Sequence, residues 1–256
     1  MPANGAVSPP PAFFRFERTQ CDLPYYRGGP GGFGPLGALI VLCAAGAAFA
    51  VLLNTQQMYH SGLAGFIPPL LFVLIPLAAV AAVAGPRAPL AMFRRLSLKD
   101  IGIILLFFVL NAIVTVAVGL LITGLFHTVS NPAGDMVASA SRADRVLFFG
   151  WTGVQLLGEE LFTILIFLGV MALLSRVMPR KPALCIAALV AAVIFGMVHL
   201  PTYQWNVAQA VGLMPIRIIL LMPFIITRNI WTSTGVHILN DWAIFGSTAI
   251  AAMDPG

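Results

Sequence analysis

The sequence predicts an all-α protein that crosses a membrane about seven times as a polytopic helix bundle. Three observations lead to this fold class. First, 59% of the 256 residues are hydrophobic and only 9% are charged, whereas a soluble domain carries about 25% charged residues. Second, the apolar residues form continuous runs that are long enough to span a bilayer. Third, most basic residues fall between these runs, as they do in membrane proteins.

Seven apolar runs define the predicted transmembrane helices. They lie near residues 35–54, 65–84, 101–126, 146–175, 183–200, 207–227 and 230–252. Their lengths suit helices, and they lack the alternation of polar and apolar residues that is typical of barrel strands. The fourth run has about 30 residues, so we expect it to tilt, to kink or to begin as an interfacial segment.

The basic residues predict an orientation in the membrane. Arginines and lysines occur before the first run and in every second connection, whereas the connections at 55–64 and 201–206 carry none. The positive-inside rule then places the N-terminus in the cytoplasm. With a net charge of +5, these residues indicate contact with anionic lipid headgroups, and we expect no nucleic-acid partner.

The chain divides into three predicted regions. Residues 1–34 are rich in Pro and Gly and lack an apolar run, which predicts a mobile cytoplasmic tail. Residues 35–126 contain the first three spans and are interpreted as a scaffold. Residues 145–252 contain the last four spans and concentrate the ionisable residues that lie within spans, so we expect the functional site there.

Six ionisable side chains interrupt the last four apolar runs. They are Glu159, Glu160, His199, Arg217, His237 and Asp241. A charge near the bilayer centre costs roughly 2.5–3.5 kcal/mol, so such residues need partners or a function. Residues four apart share a helix face. We therefore expect His237 to lie beside Asp241, with Asn240 close by.

Helix geometry also relates the glutamates to the first histidine. Glu159 and Glu160 are adjacent, so their side chains diverge by about 100° and only one points squarely into a shared site. Glu159 precedes Arg176 by 17 residues, and His199 follows Lys181 by 18. Both should therefore lie about 25 Å from the same membrane face. Two antiparallel helices would bring a carboxylate and an imidazole to one level.

These residue types predict the hydrolysis of a bond that is presented within the membrane. A carboxylate with apolar surroundings can take a proton from water near neutral pH. A neighbouring histidine can hydrogen-bond that water or bind a metal. A second histidine with an acid or amide partner can stabilise an oxyanion. The best candidate for the bond is a peptide bond.

The same residues form three ordered motifs on successive late spans. The motifs are Glu159-Glu160, then Phe195-x-x-x-His199, then His237-x-x-Asn240-Asp241. Over about residues 145–252 the chain resembles the CPBP intramembrane proteases. That family includes the CAAX prenyl endopeptidases and many bacterial Abi-type proteins. The resemblance implies an integral protein of a bacterial plasma membrane that cleaves a membrane-associated peptide or protein.

The resemblance also implies a role for each motif residue. Glu159 corresponds to the residue that activates water, and Glu160 to its supporting neighbour. His199 corresponds to a contact for water or metal. His237 and Asp241 correspond to the pair that positions the oxyanion or the water. A divalent metal such as zinc is implied in one version of the mechanism, with His199, His237 and Glu159 as candidate ligands, and a glutamate-only mechanism is the other.

One position departs from the family pattern Glu-Glu-x-x-x-Arg, because Ile164 stands at the arginine position. Our hypothesis is that Arg217, in the sixth span, replaces this cation from another helix. Two alternatives to an enzyme stay open. Ile164 favours a membrane scaffold or immunity protein with relaxed catalysis, and the carboxylates would also suit a proton-coupled transporter.

Overall fold

The computed structural model describes residues 13–17, 22–27, 31–59 and 61–252. Within these residues the regular structure is helical, which confirms the predicted fold class. The α-helices are α1 (Pro35–Gln56), α2 (Ile67–Ala84), α3 (Leu98–Leu125), α4 (Pro132–Ser139), α5 (Arg142–Leu174), α6 (Arg180–Val198), α7 (Val207–Thr227) and α8 (Ile230–Ala251). Residues 1–12, 18–21 and 28–30 of the predicted tail lie outside the described residues.

Six helices of the described chain are long and apolar enough to cross a membrane. They are α1, α2 together with the 3-10 turn before it, α3, α5, α6 and α7. The seventh predicted run forms α8, which has 22 residues but is more polar. Its polar side chains face the protein, since Thr232, Ser233, Thr234, His237 and Asn240 are all buried. The described bundle therefore contains six strongly apolar helices and a more polar one, α8.

Helix α5 is the central element of the bundle. It packs against α1, α2, α6 and α8. It is 33 residues long and begins earlier than the predicted run, because the Ser141 hydroxyl caps it by accepting a hydrogen bond from the Asp144 amide. Gly158 permits close packing, since a Cβ atom there would lie 2.5 Å from the Phe72 ring of α2. This contact fixes the backbone directly before Glu159.

A short helix occupies part of the connection at 127–145, for which the apolar runs predict no element. Helix α4 has eight residues and is capped by Asn131, whose side chain accepts from the Ala133 amide. Its buried Val137 packs in a cluster with Phe148 of α5 and Phe245 of α8. The helix thus covers one end of the bundle between α5 and α8.

The described part of the N-terminal segment is packed against the bundle, unlike the mobile tail that the composition predicts. Tyr25 and Phe33 are buried in the main hydrophobic core. Glu17 is only 5% exposed and accepts hydrogen bonds from Arg180, at the start of α6, and from Arg228, just before α8. The segment therefore ties together the ends of two helices that carry predicted site residues.

The two arginines also determine how Glu17 titrates. Burial alone would raise the pKa of Glu17, but the hydrogen bonds from Arg180 and the Phe14 amide, together with both positive charges, lower it below its ordinary value of 4.5. A carboxyl group with a lowered pKa in the folded state stabilises that state at pH values above its unfolded pKa. This stabilisation is lost as the pH falls through the lower, folded pKa.

Replacing Glu17 by Gln should release the N-terminal segment at neutral pH. The change removes the buried carboxylate that Arg180 and Arg228 share, although Arg180 keeps its ion pair with Asp22. Breaking a buried pair costs about 3–5 kcal/mol. Hydrogen–deuterium exchange of the amides around Phe14 should accelerate strongly. In the wild-type protein the same acceleration should occur only as the pH falls below about 4.5.

Arg27→Gln is the matched control within the same segment. It removes an ion pair with Asp22 in which the Arg27 side chain is 56% exposed, and exposed pairs contribute at most about 1 kcal/mol. Its exchange should stay close to that of the wild type. Equal protection in E17Q and the wild type would show that the Glu17 contacts do not hold the segment.

Candidate active site

A cavity of about 500 Å³ lies between α5, α7, α8 and the turn that joins α6 to α7. Most of the residues predicted for the site line it, namely Glu159, Phe195, His199, His237, Asn240 and Asp241. Glu160 and Arg217 are fully buried behind its wall. The structure therefore brings the three motifs together around one internal space.

The two glutamates point in different directions, as their adjacent positions require. The Glu159 side chain is 15% exposed and faces the cavity. Glu160 is turned toward α7 and α8, where its Oε1 lies 2.6 Å from Arg217 Nη2 and 2.9 Å from His237 Nδ1. Glu159 is thus the carboxylate that a substrate could reach, and Glu160 is a buried partner for two other helices.

Arg217 makes the contact that the substitution hypothesis requires. It enters from α7, pairs with Glu160, and places its guanidinium carbon 4.8 Å from the centre of the Phe195 ring. Ile164, at the position of the family arginine, is fully buried in the hydrophobic core instead. A cation thus reaches Glu160 from a neighbouring helix rather than from the next turn of α5.

His237 connects the buried ion pair to the cavity. Because a carboxylate can only accept, the Nδ1–H of His237 donates to Glu160. The other ring nitrogen, Nε2, lies 3.9 Å from Glu159 Oε2 and 3.8 Å from Asp241 Oδ2. These distances are too long for direct hydrogen bonds but suit a bridging water. The Asn240 amide donates to the other oxygen of Asp241.

His199 caps the end of α6 beside Phe195. Its Nδ1 lies 2.7 Å from the Phe195 carbonyl oxygen, which can only accept, so Nδ1 carries the proton and Nε2 is left free. The Phe195 ring lies 4.4 Å from the His199 ring and 6.5 Å from the His237 ring, between ring centres. Phe195 therefore holds both imidazoles in place by packing.

Two glutamines that the motifs do not include fix the orientation of Glu159. Gln155 donates to Glu159 Oε1, and Gln56 of α1 donates to Gln155. Gln155 precedes Glu159 by one helical turn, a spacing that the sequence displays. No such sequence spacing relates Gln56 to Glu159. It lines the cavity together with Thr115 of α3, so helices interpreted as scaffold also contribute to the site.

The three candidate metal ligands do not form a preformed metal site. In the described part of the chain, no group of three or more His, Cys, Asp or Glu side chains is placed to hold a metal ion. One nitrogen of His237 is already engaged by Glu160. The zinc expectation for His199, His237 and Glu159 stays a sequence-based prediction, and the chemistry below is derived from this chain's own residues.

The bundle thus combines helices that are long enough to cross a membrane with carboxylates and histidines around one cavity. Residues 142–243 match the family model described as Type II CAAX prenyl endopeptidase Rce1-like. No curated protein and no solved structure matches the chain. The matched region contains all three motifs and supports a CPBP-family protease. The resemblance predicted from the motifs is thereby confirmed over this region.

Replacing Arg217 by Met should destabilise the protein by about 3–5 kcal/mol, because Glu160 would stay buried without its counter-charge. Denaturant unfolding in detergent would measure the loss. The double variant E160Q/R217M should be more stable than the sum of the single changes predicts, since it removes both charges together.

Arg142→Met provides the control for this prediction. Arg142 is exposed at the start of α5, where substitutions usually change stability by less than about 0.5 kcal/mol. If R217M unfolds like the wild type and keeps its activity, Arg217 does not take the place of the family arginine.

Proposed function

We propose that this protein is an intramembrane endopeptidase that hydrolyses a peptide bond in a membrane-associated substrate, with water activated by Glu159. One observation carries the proposal. Glu159 Oε2 and His237 Nε2 face each other across 3.9 Å inside a cavity of a membrane-spanning bundle. A water molecule cannot lie on the line between two atoms at this separation, but it can hydrogen-bond to both from the cavity side.

Glu159 is suited to act as the general base. Its Oε1 is held by Gln155, which leaves Oε2 directed at His237. Oε2 takes a proton from the water as the water oxygen attacks the substrate carbonyl carbon. The proton then passes to the amide nitrogen as the carbon–nitrogen bond breaks. The products are a carboxylic acid and an amine.

His237 is suited to orient the attacking water. The hydrogen bond from its Nδ1 to Glu160 fixes the ring, much as a carboxylate fixes the histidine of a hydrolytic triad. Glu160 also stabilises positive charge on the ring whenever Nε2 becomes protonated. His199, which presents its free Nε2 from α6, provides a second contact for the water or the substrate.

Arg217 supports these different roles of Glu159, as the base, and Glu160, as the partner of His237. Two adjacent carboxylates disfavour each other's ionisation when no cation is close. The Arg217 guanidinium, 2.6 Å from Glu160, balances the buried charge and leaves Glu159 free to act as a base. This contact also argues against a membrane scaffold with relaxed catalysis. That alternative was based on Ile164, which stands at the arginine position of the family pattern.

The family match suggests which substrates should be tested first. Its description names a CAAX prenyl endopeptidase, so lipid-modified peptides with a C-terminal extension are the first candidates. Unmodified transmembrane peptides form the comparison set. Cleavage of either set by purified protein would separate an endopeptidase from a scaffold or a proton-coupled transporter.

Replacing Glu159 by Gln should lower the rate of peptide cleavage by about 10²–10⁴-fold, the usual contribution of a general base. Gln keeps the size of the side chain and an oxygen that can accept the hydrogen bond from Gln155, so the stability of the protein should change little. Cleavage would be followed by mass spectrometry of the peptide products. His199→Ala should also reduce the rate.

Asp135→Asn is the control, because it removes a carboxylate that is exposed on α4. Its cleavage rate should equal that of the wild type. Equal cleavage by the wild type, E159Q and H199A would end the proposal, and metal analysis of the same samples would test the zinc expectation.

A further inference from the structure

Helix α3 is the least buried of the six apolar spans. Only 6% of the residues in its apolar stretch are buried, against 28–78% in the other five. It packs mainly against α7 and α8. Thr115 of α3 lines the active-site cavity, whereas the next residue, Val116, is 61% exposed on the outer surface. A single helix therefore separates this part of the cavity from the lipid around the bundle.

The contact between α3 and α7 is well packed on both sides of the cavity wall. Toward the end of α3, a Cβ atom added at Gly212 would lie 3.0 Å from Val118 Cγ1. Toward its start, Phe107 and Leu220 belong to one hydrophobic cluster. Ile216, which lines the cavity, lies between these two points along α7. The cavity therefore meets the contact between α3 and α7 in its middle.

In this middle part, α3 buries polar atoms that have no hydrogen-bond partner among the described residues. Nδ2 and Oδ1 of Asn111 are both unpartnered, although the side chain is fully buried. Thr115, one turn later on the same face, has a buried hydroxyl without a partner. Thr123 of the same helix instead donates to the Gly119 carbonyl at 2.8 Å. Buried polar atoms without partners destabilise the packing that buries them, so α3 is held least firmly beside the cavity.

The segments before and after α3 are each held by a side-chain amide. Before the helix, Asn229 accepts from the Arg94 amide at 3.2 Å and donates to the Arg94 carbonyl at 3.1 Å. After it, Gln209 accepts from the Val129 amide at 2.8 Å and donates to the Val129 carbonyl at 2.9 Å. Helix α3 is thus anchored at both ends and weakly held between them. It can move sideways without leaving the bundle, with its ends as hinges.

We propose that α3 is a movable wall of the cavity, and that a membrane-embedded substrate reaches Glu159 by passing between α3 and α7 from the lipid. The inference rests on the proposed endopeptidase function. The entering group is an unwound segment of a membrane-anchored chain. Its peptide groups each present a donor and an acceptor, and the Asn111 amide presents the complementary pair. The entering segment thus supplies partners that Asn111 and Thr115 lack when α3 is closed.

A disulfide between α3 and α7 tests this route. A Cβ at Gly212 would lie 3.0 Å from Val118 Cγ1, so V118C/G212C brings two Cβ atoms within the separation of about 3.5–4.5 Å that a disulfide requires. The bond would fix α3 within one turn of Thr115. In a background without the native cysteines, oxidation should slow the cleavage of a transmembrane peptide at least about tenfold, because the wall no longer opens. Reduction by dithiothreitol should restore the rate.

G37C/V83C is the matched control for the disulfide. It links α1 to α2, where a Cβ at Gly37 would lie 3.9 Å from Val83 Cβ, and it leaves α3 free. Its oxidation should not change the cleavage rate. Equal cleavage by oxidised and reduced V118C/G212C would overturn the route between α3 and α7.

A binding measurement separates this inference from the proposed function. A transmembrane peptide with benzoylphenylalanine at its midpoint should cross-link to cavity residues of reduced E159Q/V118C/G212C, as mapped by mass spectrometry, and not to those of the oxidised protein. This result would support the route even if the wild type cleaves none of the peptides, which would refute the proposed function alone. Cavity cross-links in both states, or in neither, would overturn the route.

Replacing Asn111 by Leu tests the weakly held part of α3. The two side chains are similar in size, and the loss of unpartnered polar atoms should raise the Tm of the protein. Cleavage of the transmembrane peptide should slow by about 3–10-fold, because the closed position of α3 becomes more populated. Thr123→Val is the control, since that hydroxyl bonds within its own helix, and it should change neither property. A lower Tm for N111L, or an unchanged cleavage rate, would contradict the inference.

Discussion

The buried ion pair between Glu160 and Arg217 determines how the rest of the site is arranged. Both side chains are fully buried, so each requires the other in an apolar environment. The pair connects α5 to α7, and the hydrogen bond from His237 adds α8. These three helices are thereby held in fixed positions relative to one another, around the carboxylate of Glu160. The orientation of His237 and the exposure of Glu159 to the cavity both follow from this arrangement.

The N-terminal segment provides a comparable connection at the other end of these helices. Glu17 pairs with Arg180 and Arg228, which lie at the starts of α6 and α8, the helices that lead to His199 and His237. These two arginines thus complete a buried contact within the protein.

Much of the fold and part of the site could be predicted from the sequence. Each apolar run corresponds to a long helix, because twenty apolar residues have few other stable arrangements in a bilayer. The divergence of Glu159 and Glu160 follows from the 100° step of a helix. The absence of the family arginine at Ile164 led to Arg217 as a candidate partner, since a buried carboxylate needs a cation.

Other features depend on contacts between residues that are far apart in the sequence, which no local sequence pattern predicts. Gln56 reaches Gln155 across 99 residues of sequence, and Arg228 reaches Glu17 across 211. The position of Glu17 in a segment rich in Pro and Gly does not predict that its side chain is buried. Helix α4 is too short for a hydropathy run to reveal it.

The polarity of α8 has a consequence for how the bundle assembles. A helix with a histidine, an asparagine, an aspartate and several hydroxyl groups gains little from contact with lipid alone. Its stable position depends on α3, α5 and α7, which pack against it. Helix α8 should therefore settle into the membrane only after these helices are in place. The docking of α8 would then complete this part of the bundle and the candidate site in one step.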